Sequence, residues 1–277
     1  MNQSTKNVLR WWGRMVVPAI CVLIIMIPIY LVIIGGFMTV QEIYRQPPHL
    51  FPPNPTTEFY RAAWNTLNQS VVNSFIIAIG TYLFTLLIST PTAFALAKLR
   101  MSAEKPVSFA LALAQMLPMT TLVIPLFLIF FTFGLNNSFV GVILGISAFT
   151  VPFCTILLTA YMRSIPVGLM EAAWIDGASL GRIFVSIVLP IASPGISTAG
   201  MFAFLMAWGN FIFPLSLLQE RSLQPLSVAL YRFVDQYGIE WNMLMAGSAI
   251  YSIPPIIVVL VAGRYLVSGM TAGAFKE

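Results

Sequence analysis

Acidic side chains are scarce in this chain, and two of them stand close together in a mostly apolar stretch. Glu171 and Asp176 lie in EAAWIDGASLGRIFVSIVLP, residues 171–190, of a chain in which 8% of residues are charged. Their carboxylates can pair with basic groups of another protein. Gly177 allows a sharp turn directly after them. These residue types predict a rigid knob that contacts a partner, although an ordinary amphipathic surface helix remains an alternative.

The sequence lacks the residue patterns of common catalytic and metal-binding sites. A phosphate-binding loop needs a glycine directly before its lysine. The residues before the four lysines are Thr5, Ala97, Glu104 and Phe275. His49 is the one histidine, so a multi-histidine metal site is excluded and a solvated loop residue is favoured. No Ser/His/Asp arrangement is available either. We therefore expect no enzyme, no metal and no cofactor on this chain.

Composition places the chain in a membrane. Hydrophobic residues make up 58% and the mean hydropathy is +0.89, whereas soluble proteins carry roughly 25% charged residues. The uncharged runs contain no ionisable residue at membrane depth, which disfavours proton coupling but leaves sodium possible through carbonyls and hydroxyls. Cys21 and Cys154 fall inside these runs and are expected to be small core residues.

The uncharged runs predict an all-α polytopic membrane protein with six transmembrane helices in one domain. The first run is too long for a signal peptide, so we expect a retained anchor. The predicted segments are an N-terminus 1–14, spans 15–40, 71–97, 106–133, 138–162, 187–218 and 241–264, loops 41–70, 163–186 and 219–240, and a tail 265–277.

Basic residues test the orientation of six spans. Ten lysines and arginines fall on the side of both termini and four on the other, from the positions in the sequence. Positive charge favours the cytoplasm, so both termini and the loop 163–186 are predicted there. The net charge of +5 is explained by topology and by anionic lipid headgroups, without nucleic acid.

Two loops are predicted on the external side. Loop 41–70 contains the run PPHLFPPNP, which is stiff and disfavours a helix. Loop 219–240 carries five charged residues. It is either a solvated surface or a contact for an external delivery protein.

Several ordered motifs resemble one family over nearly the whole chain. They include QMLPMTTLVIP at 115–125, EAA with IDGA at 171–178, WGNFIFPL at 208–215 and GMTAGAFK at 269–276. The chain is thereby similar to the MalG-like permeases of carbohydrate ABC importers, the binding-protein-dependent systems with an EAA loop. One departure is the end of the tail, where the family commonly has Val-Lys-Gly and this chain has Phe-Lys-Glu.

The resemblance implies a type I ABC importer permease fold in the bacterial cytoplasmic membrane. It implies a second homologous permease subunit, two ATPase subunits that bind ATP and magnesium, and an external sugar-binding protein. The EAA segment becomes the coupling helix, which rocks the bundle when the ATPase dimer closes. The residues expected to transmit this contact are Glu171, Ala172, Ala173, Asp176, Gly177, Leu189 and Pro190.

A sugar needs hydrogen-bonding and aromatic groups at membrane depth. The candidates for this path are Asn73, Tyr82, Gln115, Thr120, Trp208 and Asn210. Each of them could instead pack or bond between helices. In some family members the partner subunit makes most of the sugar contacts.

Two other functions compete with an importer subunit. A stand-alone secondary carrier or channel for a polar solute would transport without ATP. A non-transporting membrane anchor would leave the polar groups on the helices without a role.

Overall fold

The computed structural model describes the backbone of residues 3–99, 101–235 and 238–274, and the side chains of residues 16–99, 101–234 and 238–263. Within these ranges the backbone is mostly helical, with one short hairpin in which β1 (Val234–Asp235) pairs with β2 (Gly238–Ile239). The helices are α1 (Gln3–Gly35), α2 (Val40–Ile43), α3 (Glu58–Lys98), α4 (Glu104–Met116), α5 (Met119–Thr132), α6 (Phe139–Arg163), α7 (Gly168–Ile175), α8 (Leu180–Ile183), α9 (Leu189–Trp208), α10 (Ile212–Leu217), α11 (Leu226–Ala229) and α12 (Trp241–Ala274), with short 3₁₀ turns at Arg221–Leu223 and Leu230–Phe233.

Five helical segments of the described chain are long and apolar enough to cross a membrane. They are Val16–Gly35 of α1, all of α3, all of α6, Leu180–Trp208 and Trp241–Gly263 of α12. The pair α4 and α5 passes the same test together and would make a sixth span. The expected helical membrane protein is therefore confirmed in its main features, as a mostly helical chain with five or six spans by length and composition.

The predicted third span, 106–133, is broken in the middle. α4 and α5 meet at a bend of 103°. Leu117 ends α4 with an extended backbone, ψ 127°, and Pro118 follows with ψ 131°. A proline disfavours the helical conformation of the residue before it, which explains why the chain turns at this point. Pro125 lies inside α5 without ending it.

Three helices run past the predicted ends of their spans. α1 begins at Gln3, α3 at Glu58 and α12 ends at Ala274. The helices therefore extend into the segments 1–14, 41–70 and 265–277, which were predicted to lie outside the membrane. Packing explains why α3 begins before the predicted span. Ala63 and Leu67 are fully buried at a helical spacing of four.

The predicted fifth span, 187–218, overlaps two helices. A continuous helix begins at Leu180 and passes through a π-helical segment, Phe184–Val188, into α9. Pro190 in the first turn of α9 has no N–H for a regular helical bond, and a π turn is one way for a helix to absorb this. The helix ends at Trp208, and α10 follows after a break.

The chain divides into two compact units. The first contains residues 1–67 and 230–252. Inside it, the Asn242 amide donates to the carbonyl of Met38 at 2.7 Å. Gly36 lies so close to Tyr60 that an added Cβ would stand 2.7 Å from the ring.

The second unit contains residues 68–229 and 253–277. Its core joins small residues of α9 to α6, where Cys154, Leu158 and Met162 are fully buried. α3 and α6 also share a buried polar contact, because the hydroxyls of Thr85 and Thr150 lie 2.7 Å apart. Buried hydroxyl pairs of this kind hold membrane helices together.

Candidate functional site

The segment from Glu171 to Pro190 forms a short helix with one buried face. In α7, Met170 is 1% and Ala173 is 8% exposed, and both join the core of the second unit. Glu171 and Ala172 face outward, and Ile175 is 87% exposed. Of the two alanines predicted to admit a partner, Ala172 is therefore accessible, whereas Ala173 packs against the protein's own core.

A tight turn ends α7 immediately after Asp176. Gly177 has φ +78°, and its N–H donates to the carbonyl of Trp174 at 3.0 Å. The N–H of Ala178 donates to the carbonyl of Ala173 at 2.9 Å. These two bonds form a Schellman motif, which requires a left-handed residue at the glycine position. The sharp turn predicted at Gly177 is thus present.

The accessible face of α7 combines acid and apolar groups. Glu171 and Asp176 are exposed, and neither carboxylate has an ion-pair partner among the described residues. Trp174 is 46% exposed beside them. A face with two free carboxylates and large apolar side chains fits a protein contact better than open solvent.

The rest of the loop leads directly into α9. Ser179 caps α8 by accepting the Arg182 N–H at 3.4 Å. Leu189 and Pro190 start α9 immediately after the π-helical segment. Before α7, the Ser164 hydroxyl donates to the Tyr161 carbonyl at 2.7 Å.

Two predicted substrate-path amides have internal partners. Asn73 is 1% exposed and donates to the carbonyls of Ser222 and Gln224, at 2.7 and 3.1 Å. Asn210 is 7% exposed, and its side-chain oxygen accepts the Phe213 N–H at 3.1 Å. Asn73 therefore holds a loop, and Asn210 begins α10.

The two aromatic candidates lie in different surroundings. Trp208 is buried between Phe75, at a ring distance of 4.9 Å, and Phe204, at 5.9 Å. Tyr82 is half-buried and lines a cavity of about 330 Å³. Among the cavity's side chains, Tyr82 and Ser197 carry hydroxyls and the others are apolar, namely Ile79, Met201, Phe204, Val258, Val261 and Ala262, with Gly200 completing the wall.

The last two candidates flank the α4–α5 break. Gln115 and Thr120 are exposed. The amide nitrogen of Gln115 donates to the Phe149 carbonyl at 3.0 Å, which leaves the amide oxygen on the accessible side. Of the predicted path residues, Gln115, Thr120 and Tyr82 are at least partly exposed, whereas Asn73, Trp208 and Asn210 are buried.

Residues outside the predicted set hold the loops together. Asn137, at φ +53°, accepts the N–H groups of Gln219 and Glu220 at 3.1 Å each. Its amide nitrogen donates to the Glu220 carboxylate at 2.7 Å. The turn-forming sequence GLNNS, 134–138, was the available signal, but it identifies the turn and not its distant partner.

The groups considered for metal chemistry are dispersed. His49 contacts Arg45, with 3.3 Å between the ring nitrogen and the guanidinium. Among the residues that the structure describes, no group of three histidine, cysteine, aspartate or glutamate side chains could hold a metal. Cys154 is buried, as predicted, whereas Cys21 is exposed on α1 and is not a core residue of this chain.

Comparison with known protein families matches residues 89–272 to the inner membrane component of binding-protein-dependent transport systems. The chain belongs to this family. The resemblance inferred from the motifs is therefore confirmed. With its apolar helices, this family member is a multi-pass protein of the cytoplasmic membrane.

Individual relatives cover most of the chain. A sulfoquinovosyl glycerol transport permease of Agrobacterium fabrum is 31% identical over 90% of this chain and 88% of its own. A diacetylchitobiose uptake permease of Streptomyces coelicolor is 30% identical over 90% and 91%. A bacterial ABC transporter that imports alginate has the same fold, with a TM-score of 0.81 and 22% identity over 96% of this chain and 98% of that one.

Proposed function

We propose that this chain imports a sugar as one permease subunit of an ATP-binding cassette transporter. The substrate is a di- or oligosaccharide or a related polyol. The observation that carries the proposal is α7, a short helix with an exposed acidic and apolar outer face in a chain without a glycine-lysine phosphate loop. The relatives named for sulfoquinovosyl glycerol and diacetylchitobiose support the class of substrate.

We propose six membrane crossings with both termini in the cytoplasm. The bent pair α4 and α5 then counts as one crossing. The ten-to-four distribution of basic residues in the sequence supports this orientation. It places α7 in the cytoplasm, where a soluble ATPase can reach it.

The complete transporter contains four further proteins. A second, homologous permease completes the membrane portion, and two ATPase subunits bind ATP and magnesium. An external binding protein delivers the sugar. The family's dependence on binding proteins supports the last of these partners.

In this complex, α7 is the coupling helix. Its carboxylates at Glu171 and Asp176 pair with basic groups of an ATPase, and Trp174 and Ile175 fill an apolar groove. Closure of the ATPase dimer moves α7, and Leu189 and Pro190 carry the movement into α9. The bundle then changes between inward-facing and outward-facing states as rigid bodies.

The sugar path runs past the α4–α5 break. Gln115 and Thr120 offer polar groups there, and Tyr82 offers a ring and a hydroxyl at the α3 cavity. The cavity is mainly apolar, so most sugar contacts come from elsewhere in the complex. The second permease subunit is the expected source.

Reversal of charge at Glu171 tests the coupling helix. A tagged chain is purified from membranes with its associated proteins, and ATP hydrolysis and sugar uptake are measured. The Glu171→Lys variant should lose the associated ATPase or its sugar-dependent activity by about tenfold, because one charge pair is replaced by repulsion. Lys105→Glu reverses the charge of an exposed side chain outside α7 on the same side of the membrane, and this matched control should retain both.

Two results would reject the proposal. One is full sugar-dependent ATP hydrolysis in the Glu171→Lys complex, which would remove the coupling role. The other is transport by the purified single chain in liposomes without ATP, which would establish a stand-alone carrier.

A further inference from the structure

One end of α3 is attached to the base of the coupling helix. The ammonium of Lys98, the last residue of α3, donates a hydrogen bond to the main-chain carbonyl of Ile165. Ile165 is 4% exposed and stands directly before Pro166, where the chain leaves α6 for α7. A buried carbonyl outside a regular helix needs such a partner. Lys98 supplies it from a different element.

Apolar packing reinforces this attachment. Ala93 and Phe94 of α3 belong to the same buried cluster as Met170 and Ala173, the inner face of α7. The Phe94 ring also lies 4.9 Å from the ring of Phe184, the first residue of the π-helical segment. α3 therefore contacts both ends of the loop that contains the coupling helix.

The other end of α3 in the second unit is attached to the loop after α10. The Asn73 amide donates to the carbonyls of Ser222 and Gln224. The Ser74 hydroxyl accepts the N–H of Leu226 at 2.7 Å. Both side chains are at most 2% exposed, so these bonds are shielded from competing water.

α3 connects these two anchor points without a break. At 1.5 Å per residue, positions 73 and 98 lie about 38 Å apart along the helix. Pro91 lies inside α3 without ending it. The alternative connection through α9 includes the π-helical segment and ends at Trp208. A π segment interrupts the regular hydrogen bonding of an α-helix, so the connection through α9 is less regular than α3.

We infer that α3 transmits movement of the coupling helix to the external segment 222–226, and that Lys98 is the positioning residue at its cytoplasmic end. This inference rests on the proposed function, because it takes α7 as the ATPase contact. Lys98 and Asn73 thereby take part in transmitting the movement, although neither residue lies in the EAA segment.

The test measures an ATP-dependent change at the external segment. Ser222→Cys is introduced with Cys21→Ala and Cys154→Ala, and the complex is purified through a tag on this chain and placed in lipid vesicles. A membrane-impermeant maleimide reports the labelling rate at position 222, with Mg-ATP and orthovanadate present or absent. We expect about a fivefold change in rate, the lower end of typical coupling effects.

Variants of Lys98 then separate positioning from general stability. Lys98→Met has a similar length without a donor, and it should keep the associated ATPase but lose the ATP-dependent change in labelling. Lys98→Arg restores a cationic donor and should retain the change. Lys105→Met removes a nearby exposed lysine and is the matched control.

The outcomes distinguish this inference from the proposed function. A full ATP-dependent change in Lys98→Met overturns the inference and leaves the proposed function intact. The absence of an ATP-dependent change in labelling at position 222 in the complex with an unmodified Lys98 also overturns the inference alone. The absence of an associated ATPase overturns both. If the Lys98→Met complex does not assemble, the Asn73→Leu variant tests the other end of α3. A full ATP-dependent change in labelling in that variant also overturns the inference.

Discussion

The turn after α7 depends on a single residue, Gly177, whose backbone conformation allows few substitutions. Its φ of +78° lies in the left-handed region, while nothing stands within 4 Å of an added Cβ. The constraint is therefore conformational and not steric packing. Side chains other than glycine, asparagine and aspartate rarely adopt this region.

Substitution of Gly177 should weaken the coupling of ATP hydrolysis to sugar, and the loss should grow with the backbone strain that the new residue causes. Gly177→Ala is expected to cost about 1–2 kcal/mol in the turn, and Gly177→Pro should abolish it because proline fixes φ near −65°. Gly177→Asn is the matched control and should be tolerated. The measurement is sugar-stimulated ATP hydrolysis by the purified complex. Wild-type stimulation in Gly177→Pro would show that this turn is dispensable.

Glu42 is a second residue with a specific local role, in the first unit. One carboxylate oxygen accepts the Thr39 N–H at 2.9 Å, and the other accepts the backbone and side-chain N–H groups of Asn54 at 3.1 Å. The Thr39 bond is the main reason that the pKa of Glu42 lies below its usual value, while partial burial acts in the opposite direction. The ionised carboxylate thus holds α2 to the loop near Asn54.

The local stability of this loop should depend on pH. Because the folded-state pKa is lowered, the stabilisation is present above the ordinary pKa near 4.5 and is lost as pH falls through the lower folded value. Hydrogen exchange at residues 44–56 should therefore accelerate below pH 4.5 beyond the intrinsic dependence. Glu42→Gln should remove that additional acceleration. An unchanged pH profile in Glu42→Gln would contradict this role.

At the scale of elements, the contact between α6 and α9 depends on small residues. Gly195 of α9 faces Tyr161 of α6, and an added Cβ would stand 2.7 Å from the tyrosine ring. Ala192, Ala199 and Ala203 on α9 are fully buried along the same core. Small side chains let membrane helices approach closely and gain dispersion contacts.

Enlarging Gly195 should separate these helices. Gly195→Ala is expected to destabilise the protein by about 1–3 kcal/mol through overpacking. Gly263→Ala is the matched control on α12, where nothing stands within 4 Å, and should leave stability unchanged or raised. Thermal unfolding in detergent measures both. A higher Tm for Gly195→Ala than for wild type would show that the contact can relax.

The helical spans could be predicted from the sequence because their apolar composition alone indicates them. The apolar runs predicted the spans, and Gly177 predicted the turn after α7. The break at Pro118 was not predictable by residue type, because Pro125 lies inside α5 and Pro152 inside α6. The sequence also left open whether Asn73 contacts a substrate or another part of the chain. The residue type of a polar side chain on a membrane helix does not reveal whether that side chain binds a ligand or a carbonyl of a distant loop.

At the scale of the whole molecule, the chain should be inactive by itself. Under the proposed function, the energy of transport comes from associated ATPase subunits, and the sequence contains no glycine-lysine pair of a phosphate loop. We expect no ATP hydrolysis by the purified chain and restoration of sugar uptake when the partner permease and ATPase are co-expressed. Uptake of radiolabelled diacetylchitobiose and other disaccharides into vesicles provides the measurement. ATP hydrolysis by the single chain would contradict this expectation.

The bend between α4 and α5 has a consequence for where water enters the membrane. A helix end leaves backbone N–H and C=O groups without helical partners. Hydrocarbon cannot satisfy such groups, so irregular backbone at membrane depth is tolerated only against protein or beside water. Leu117, Pro118 and Thr120 are exposed in this chain. In a bilayer, this bend must therefore face water or another protein surface, so lipid is excluded from this part of the chain.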